Sequence, residues 1–196
     1  MQKLNLWKLL VMVVIASTTL DFIAFAQQQT GQPPAGQPQT SQPQAGQPQA
    51  GQTSSLLRDR KTLTLEMAKK MLEAAEAKAR ENGWKLNIAI VDDGGNLLAF
   101  HRMDGAFLGS IQIAIGKAHT AVAFQRETKA FQEIAQPGAR AYGIQNIPGV
   151  VILEGGLPIK VGEEVIGACG ASGARGDQDA EACRAALDAF AKELSK

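Results

Sequence analysis

The 196-residue sequence predicts an α+β fold: a single antiparallel sheet flanked by helices, in the order α-β-β-α-α-β-β-β-α. Three observations carry this. Leu86, Ile88 and Ile90 alternate with the residues between them, and Asp92-Asp93-Gly94-Gly95-Asn96 then supplies the positive-φ positions of a tight turn, so a β-hairpin is expected. Apolar spacings of three and four residues precede and follow that hairpin. The strand-like runs come in hairpin groups separated by helices, without the strict βαβ alternation of a parallel doubly wound sheet.

Residues 1–26 have the make-up of a secretory signal peptide. Lys3 and Lys8 form a positive start, 9–20 is an apolar run shorter than a bilayer span, and Ala24-Phe25-Ala26 is a cleavage site. The other reading of that run is an uncleaved membrane anchor. Cleavage removes Lys3, Lys8 and Asp21 and moves the formal net charge from +1 to 0. The compartment implied is periplasmic or extracellular, with no membrane association after cleavage and with disulfides permitted. A near-neutral chain has no basic face for nucleic acid. Residues 27–57 are a Pro/Gln/Gly-rich leader in which Pro33, Pro38, Pro43 and Pro48 recur at a constant interval. Up to residue 52 it holds no large apolar and no charged side chain, so it is expected to be disordered, a spacer or a tether.

The folded domain is expected over residues 58–196. Thr64 is a suitable N-cap with Glu66 in the first turn. Leu65, Ala68, Leu72, Ala75 and Ala79 make one apolar stripe, and Asn82-Gly83 ends the helix. Strands follow at about 85–92 and 96–103, and Asp104-Gly105-Ala106 breaks the second. A helix over about 109–124 has Ile111, Ala114, Ile115, Ala118, Ala121 and Val122 as its inward face. Thr128 is placed to cap a short helix that Pro137-Gly138 ends. An irregular segment over 137–148 leads to strands at 150–153, 157–161 and 165–171, separated by Glu154-Gly155-Gly156 and Gly162-Glu163-Glu164. Asp177 is placed to cap a closing helix to Leu194, with Ala182, Ala186, Ala189, Phe190 and Leu194 inward.

Four ordered motifs carry a resemblance. They are VDDGGNLLAFHRMDGA from Val91, KAHTA from Lys117, EGGLPI from Glu154 and IGACGASGA from Ile166. Together they closely resemble the GlcG/HbpS-like haem-binding family, whose domain also forms the C-terminal part of PduO-type corrinoid adenosyltransferases. The resemblance spans about 62–194. It implies a profilin-like α+β fold, assembly into dimers or larger rings and, for some members, binding or slow degradation of haem. Cys169 stands where an aliphatic residue is expected, and Arg175 is inserted before the acidic helix start.

The candidate ligands follow from that. Imidazole is the commonest axial ligand to haem iron, and the chain has two histidines. His101 lies on the second strand. His119 lies about 100° round its helix from Ala118, at the edge of the buried face. Each is a metal ligand or an ordinary hydrogen-bonding histidine. Met103 is a soft ligand or a core side chain. Arg102, Lys117, Arg140 and Arg175 are partners for haem propionates or another carboxylate, Arg102 foremost, or solvated charge. Gly170, Ser172, Gly173 and Gly176 precede a helix start and suit an anion or simply a tight turn. Asp92 and Asp93 beside two glycines are turn-formers. Ser110 and His119 fall on opposite faces of one helix, which removes that pair as nucleophile and base. Neither HExxH nor CxxC occurs. Cys169 and Cys183 are a disulfide or two small buried side chains.

The function expected is a secreted, homo-oligomeric haem (tetrapyrrole)-binding protein for binding, storage or sensing, with His101, Arg102 and His119 at the cofactor and slow haem degradation in view. The alternatives are an enzyme handling a small organic acid through Arg102 and the 170–176 turn, and a non-catalytic oligomeric interaction module.

Overall fold

The computed structural model describes residues 56–196, so the signal-peptide reading of 1–26 and nearly all of the leader lie outside the described residues. The domain is built from α1 (Leu65–Glu81), β1 (Asn87–Asp92), β2 (Leu97–Arg102), α2 (Gly109–Ala123), α3 (Lys129–Ile134), a single 3-10 turn (Ile144–Asn146), β3 (Gly156–Val161), β4 (Glu164–Ser172) and α4 (Gly176–Leu194). The four strands form one sheet in the order β2-β1-β4-β3, antiparallel at every pairing.

Strand alternation divides the interior in two. Ile88 and Ile90 of β1, with Cys169 and Ala171 of β4, face α1 and α4, where Met71, Leu72, Ala182 and Ala186 complete the larger core. Ala89 and Val91, with Ala168, face the alanine stripe of α2, Ala114, Ala118 and Ala121. Fully burying a side chain such as Leu72 or Ile90 contributes about 1.5–3 kcal/mol. The small residues of α2 let its axis ride close to the sheet, so the side chains on its other faces sit near the loops at the sheet's ends.

Local chemistry starts and stops the elements much as the sequence predicts. Thr64 caps α1 by accepting from the Met67 amide at 3.2 Å, and Gly83, at φ +70°, follows its end. The β1–β2 turn is closed by Asp92, whose Oδ1 accepts the Gly94 and Asn96 amides at 2.9 Å each. Asp93 is drawn the other way, to Thr62 Oγ1 at 2.9 Å and Arg60 at 3.2 Å. Pro158 sits in β3, an edge strand, where a missing N–H is tolerated.

Four expectations are corrected. Residues 150–153 are not a strand, so the sheet has four strands rather than five. That segment lies on α2, and its Val151 amide donates to Thr120 Oγ1 at 2.8 Å instead of to a neighbouring strand. A short apolar run bounded by turns suits either role, and only the packing distinguishes them. Helix α4 starts at Gly176, not after Asp177; its N-cap is Arg175, whose amide is satisfied by Gln178 Oε1 at 3.2 Å. Thr128 flanks α3 but its hydroxyl does not cap it; it accepts the Gly156 amide at 2.9 Å and so pins α3 to β3. Leu65 and Leu194, expected inward, are exposed at the ends of their helices. Cys169 and Cys183 are joined as a disulfide across a Cα–Cα distance of 5.6 Å, tying β4 to α4.

Candidate functional site

One face of α2 carries Gln112, Ile115, Gly116 and His119, at spacings of three, four and seven residues from the first. This face forms the floor of a cleft of about 570 Å³, while Ile115 also packs against the smaller core, as its spacing predicts. Gly95, at the tip of the β1–β2 turn, walls one side, and residues 148–151 wall the other. The lining is mainly apolar, with His119 as its one ionisable side chain among the described residues.

The His119 ring lies between two glycine backbones. A Cβ on Gly95 would stand 2.7 Å from Nδ1, and one on Gly149 would stand 3.3 Å from Cδ2. Both glycines have positive φ, +79° and +81°, which an L side chain rarely adopts. The loop bearing Gly149 is held in place by the Val151–Thr120 hydrogen bond, and the Thr120 hydroxyl in turn donates to the Gly116 carbonyl at 2.7 Å. No hydrogen bond is made by the His119 ring among the described residues. An imidazole that is sterically framed but unpartnered is suited to coordination or to hydrogen bonding with a ligand.

His101 is elsewhere. It pairs in register with Ile88 and therefore lies on the α1 face of the sheet, opposite to α2. Its Nδ1 is 2.6 Å from Glu76 Oε2 on α1, and its side chain is 36% exposed. Glu76 also accepts from Arg80, and that hydrogen bond, with the one from His101, holds its carboxyl below the ordinary value against the opposing effect of burial. Arg102 pairs with Asn87 and is on the α2 face, but at the exposed far end of β2. It is five residues from Leu97, roughly 17 Å along the strand from the turn that walls the cleft. The predicted set of His101, Arg102 and His119 is thus divided over two faces and two ends of the sheet, and only His119 lines the cleft. Met103 packs in the larger core. Ser110 is buried against the sheet, bonded to Asn87 and Phe107, away from His119. Arg175 pairs with Asp177 at 2.7 Å, and Arg140 is exposed.

Lys117, expected as a partner for propionates, is instead a structural cation. It is 2% exposed and reaches past the sheet to Asp179 of α4 at 2.8 Å and to the Ala171 carbonyl at 2.9 Å. Gly155 makes the passage possible, because a Cβ there would stand 2.8 Å from Lys117 Nζ and 2.7 Å from Asp179 Cβ. Burial drives the Asp179 carboxyl above its ordinary value, opposed by the hydrogen bond and charge of Lys117 and by the Ala174 amide, 3.0 Å away. This pair borders a second, smaller cleft of about 240 Å³ between α2, the 153–154 loop and the start of α4. Sequence reading passed over the Lys117–Asp179 pair, whose partners are 62 residues apart. It also passed over the loop at 148–151; the one available signal was that Gln112, Gly116 and His119 share a helix face distinct from the alanine stripe.

The HbpS-like family, described as haem-degrading proteins, matches residues 63–188. A 15.0 kDa protein of the dhaT–dhaS intergenic region of Citrobacter freundii is 44% identical over 133 residues, 67% of this chain and 94% of its own length. Two solved structures share the fold. The crystal structure of HbpS aligns with a TM-score of 0.65 at 34% identity, over 69% of this chain and 94% of its own. The structure of a PduOC:haem complex aligns with a TM-score of 0.63 at 30% identity, over 66% of this chain and 95% of its own.

Proposed function

Because the chain belongs to the HbpS-like family, we propose that it binds haem in the His119 cleft, where the His119 imidazole would hold the iron. The observation that carries this is the unpartnered ring framed by Gly95 and Gly149 on an apolar floor. The volume of about 570 Å³ is within the ordinary range for cofactor sites. The relative solved as a haem complex, with 30% identity, supports the same ligand.

The residues fit the group in their chemistry. Ile115, Pro148, Val150 and Val151 offer apolar contact to a macrocycle, and His119 offers a ring nitrogen to iron. Among the described residues neither arginine nor lysine lines the cleft, and solvent or a second copy of the chain could supply partners for propionates. Exposed Leu97 and Ile147 adjoin the two walls, which supports homo-oligomers that cover the cleft's rim. Bound haem would supply the redox chemistry on which slow degradation depends; the chain's own part is to hold the ring and exclude water. Among the described residues no second acid–base group shares the cleft, which favours binding, storage or sensing over rapid turnover. The secreted or periplasmic placement rests on residues 1–26 and is supported by the Cys169–Cys183 disulfide. For the small-acid alternative, Arg102 and Ser172 both pair with Asn87, from the two sides of β1, while Arg102 is not among the residues lining the smaller cleft.

Haem titration followed by absorbance tests the reading. A saturable Soret shift is expected in the wild type and in His101→Ala, and is lost in His119→Ala. A shift lost in His101→Ala and kept in His119→Ala moves the ligand to the α1 face, and no saturable shift in the wild type overturns haem binding.

A further inference from the structure

The smaller cleft is independent of His119 and has polar capacity that the fold leaves unused. Lys117 has three N–H donors, of which Ala171 and Asp179 take two, and Lys117 is among the residues lining the cleft. Ser172 is 5% exposed, also lines the cleft, and its hydroxyl has no hydrogen-bond partner among the described residues. Each Asp179 oxygen accepts one hydrogen bond, from Lys117 and from the Ala174 amide, and each keeps a further lone pair. A hydroxyl with no protein partner, on a nearly buried residue that opens on a cavity beside a buried ion pair, is a place for a ligand's hydrogen-bonding groups.

The charges select the ligand's class. Lys117 offsets Asp179, and Glu154 on the opposite wall is offset by Lys129 at 3.1 Å. An added anion would face Asp179 and Glu154, and an added cation would face Lys117. A neutral molecule meets neither penalty, provided it carries donors and acceptors on adjacent atoms. The mouth is apolar, with Phe107 56% exposed and Leu153 beside it, which suits contact with a carbon skeleton. At about 30 Å³ for a water-sized group, 240 Å³ holds roughly eight non-hydrogen atoms.

We propose that this cleft is a second binding site, one that takes a short neutral polyol whose vicinal hydroxyls bridge Ser172, Lys117 and Asp179. The site stands apart from the haem cleft and does not depend on it.

Ligand-observed saturation-transfer NMR on the full chain tests this, with erythritol as the neutral probe and glycerate as the anionic one. A saturable erythritol signal is expected. Ser172→Ala weakens it by about 3- to 10-fold, the worth of one hydrogen bond. Leu153→Trp, a substitution at a half-exposed position, blocks the mouth and abolishes it. Glycerate gives no saturable signal. The absence of saturable erythritol binding overturns the proposal, as does binding that neither substitution changes, and stronger binding of glycerate overturns the neutral class. Soret titration of the same preparation reads the His119 cleft separately, so the two readings stand or fall independently.

Discussion

Lys117→Met breaks the most deeply buried ion pair among the described residues. It leaves Asp179 buried, with the Ala174 amide as its remaining donor and no cation within reach. Breaking a buried ion pair from one side costs about 3–5 kcal/mol, because the surviving charge stays desolvated. With a urea m-value of about 2 kcal/mol per molar, that is a midpoint lower by roughly 2 M. The pH dependence gives a second signature. The Asp179 carboxyl is already above its unfolded value in the wild type, and losing Lys117 raises it further. A raised carboxyl binds more protons in the folded state than in the unfolded one. Stability therefore falls as pH rises from about 4 through the folded pKa, and falls further in the variant than in the wild type. The double variant Lys117→Met/Asp179→Leu removes both charges and recovers most of the loss. Equilibrium urea unfolding at several pH values measures all three. A Lys117→Met loss below about 1 kcal/mol, or a double variant no better than the single, would refute the reasoning that this pair is buried and coupled.

Four further outcomes are expected. Gly95→Ala puts a Cβ 2.7 Å from His119 Nδ1 at φ +79°, so it lowers the midpoint of thermal unfolding and weakens haem binding together, as paired melts and Soret titrations will show. Reduction of Cys169–Cys183, a separation of 14 residues, lowers stability by about 3 kcal/mol on the chain-entropy account; a reduced protein with an unchanged urea midpoint would contradict a structural role. Glu76, lowered chiefly by its hydrogen bond from Arg80, contributes stability that is present above its ordinary value near 4.5 and lost as pH falls through its depressed one; Glu76→Gln flattens acid unfolding in that window. Thr120→Val removes the hydroxyl that accepts the Val151 amide, and faster amide exchange at Val151, with loosening of the Gly149 wall, is the expected readout.

Much of the fold was legible because its signals are local. The Thr64 cap, the Asp92–Asn96 turn and the alanine stripe of α2 each depend on residues a few positions apart, and the structure has them where periodicity and turn chemistry place them. The absence of βαβ alternation was enough to predict an antiparallel sheet. Of the candidate ligand residues, His119 could be placed at the edge of a helix face from spacing alone.

Tertiary structure decided what depends on which surfaces meet. Strand alternation puts His101 and Arg102 on opposite faces of β2, but only the pairing with β1 decides which face meets α1 and which meets α2. Residues 150–153 have the apolar content of a strand and become the wall of the His119 cleft because Thr120, on a helix 31 residues away in sequence, takes the Val151 amide. Lys117 reads as a surface cation until α4 brings Asp179 to it past Gly155. Local sequence sets backbone periods and turns, since those energies act over a few residues. The partner of a buried charge, and the far wall of a cleft, are set by contacts between segments whose proximity exists only once the sheet has paired.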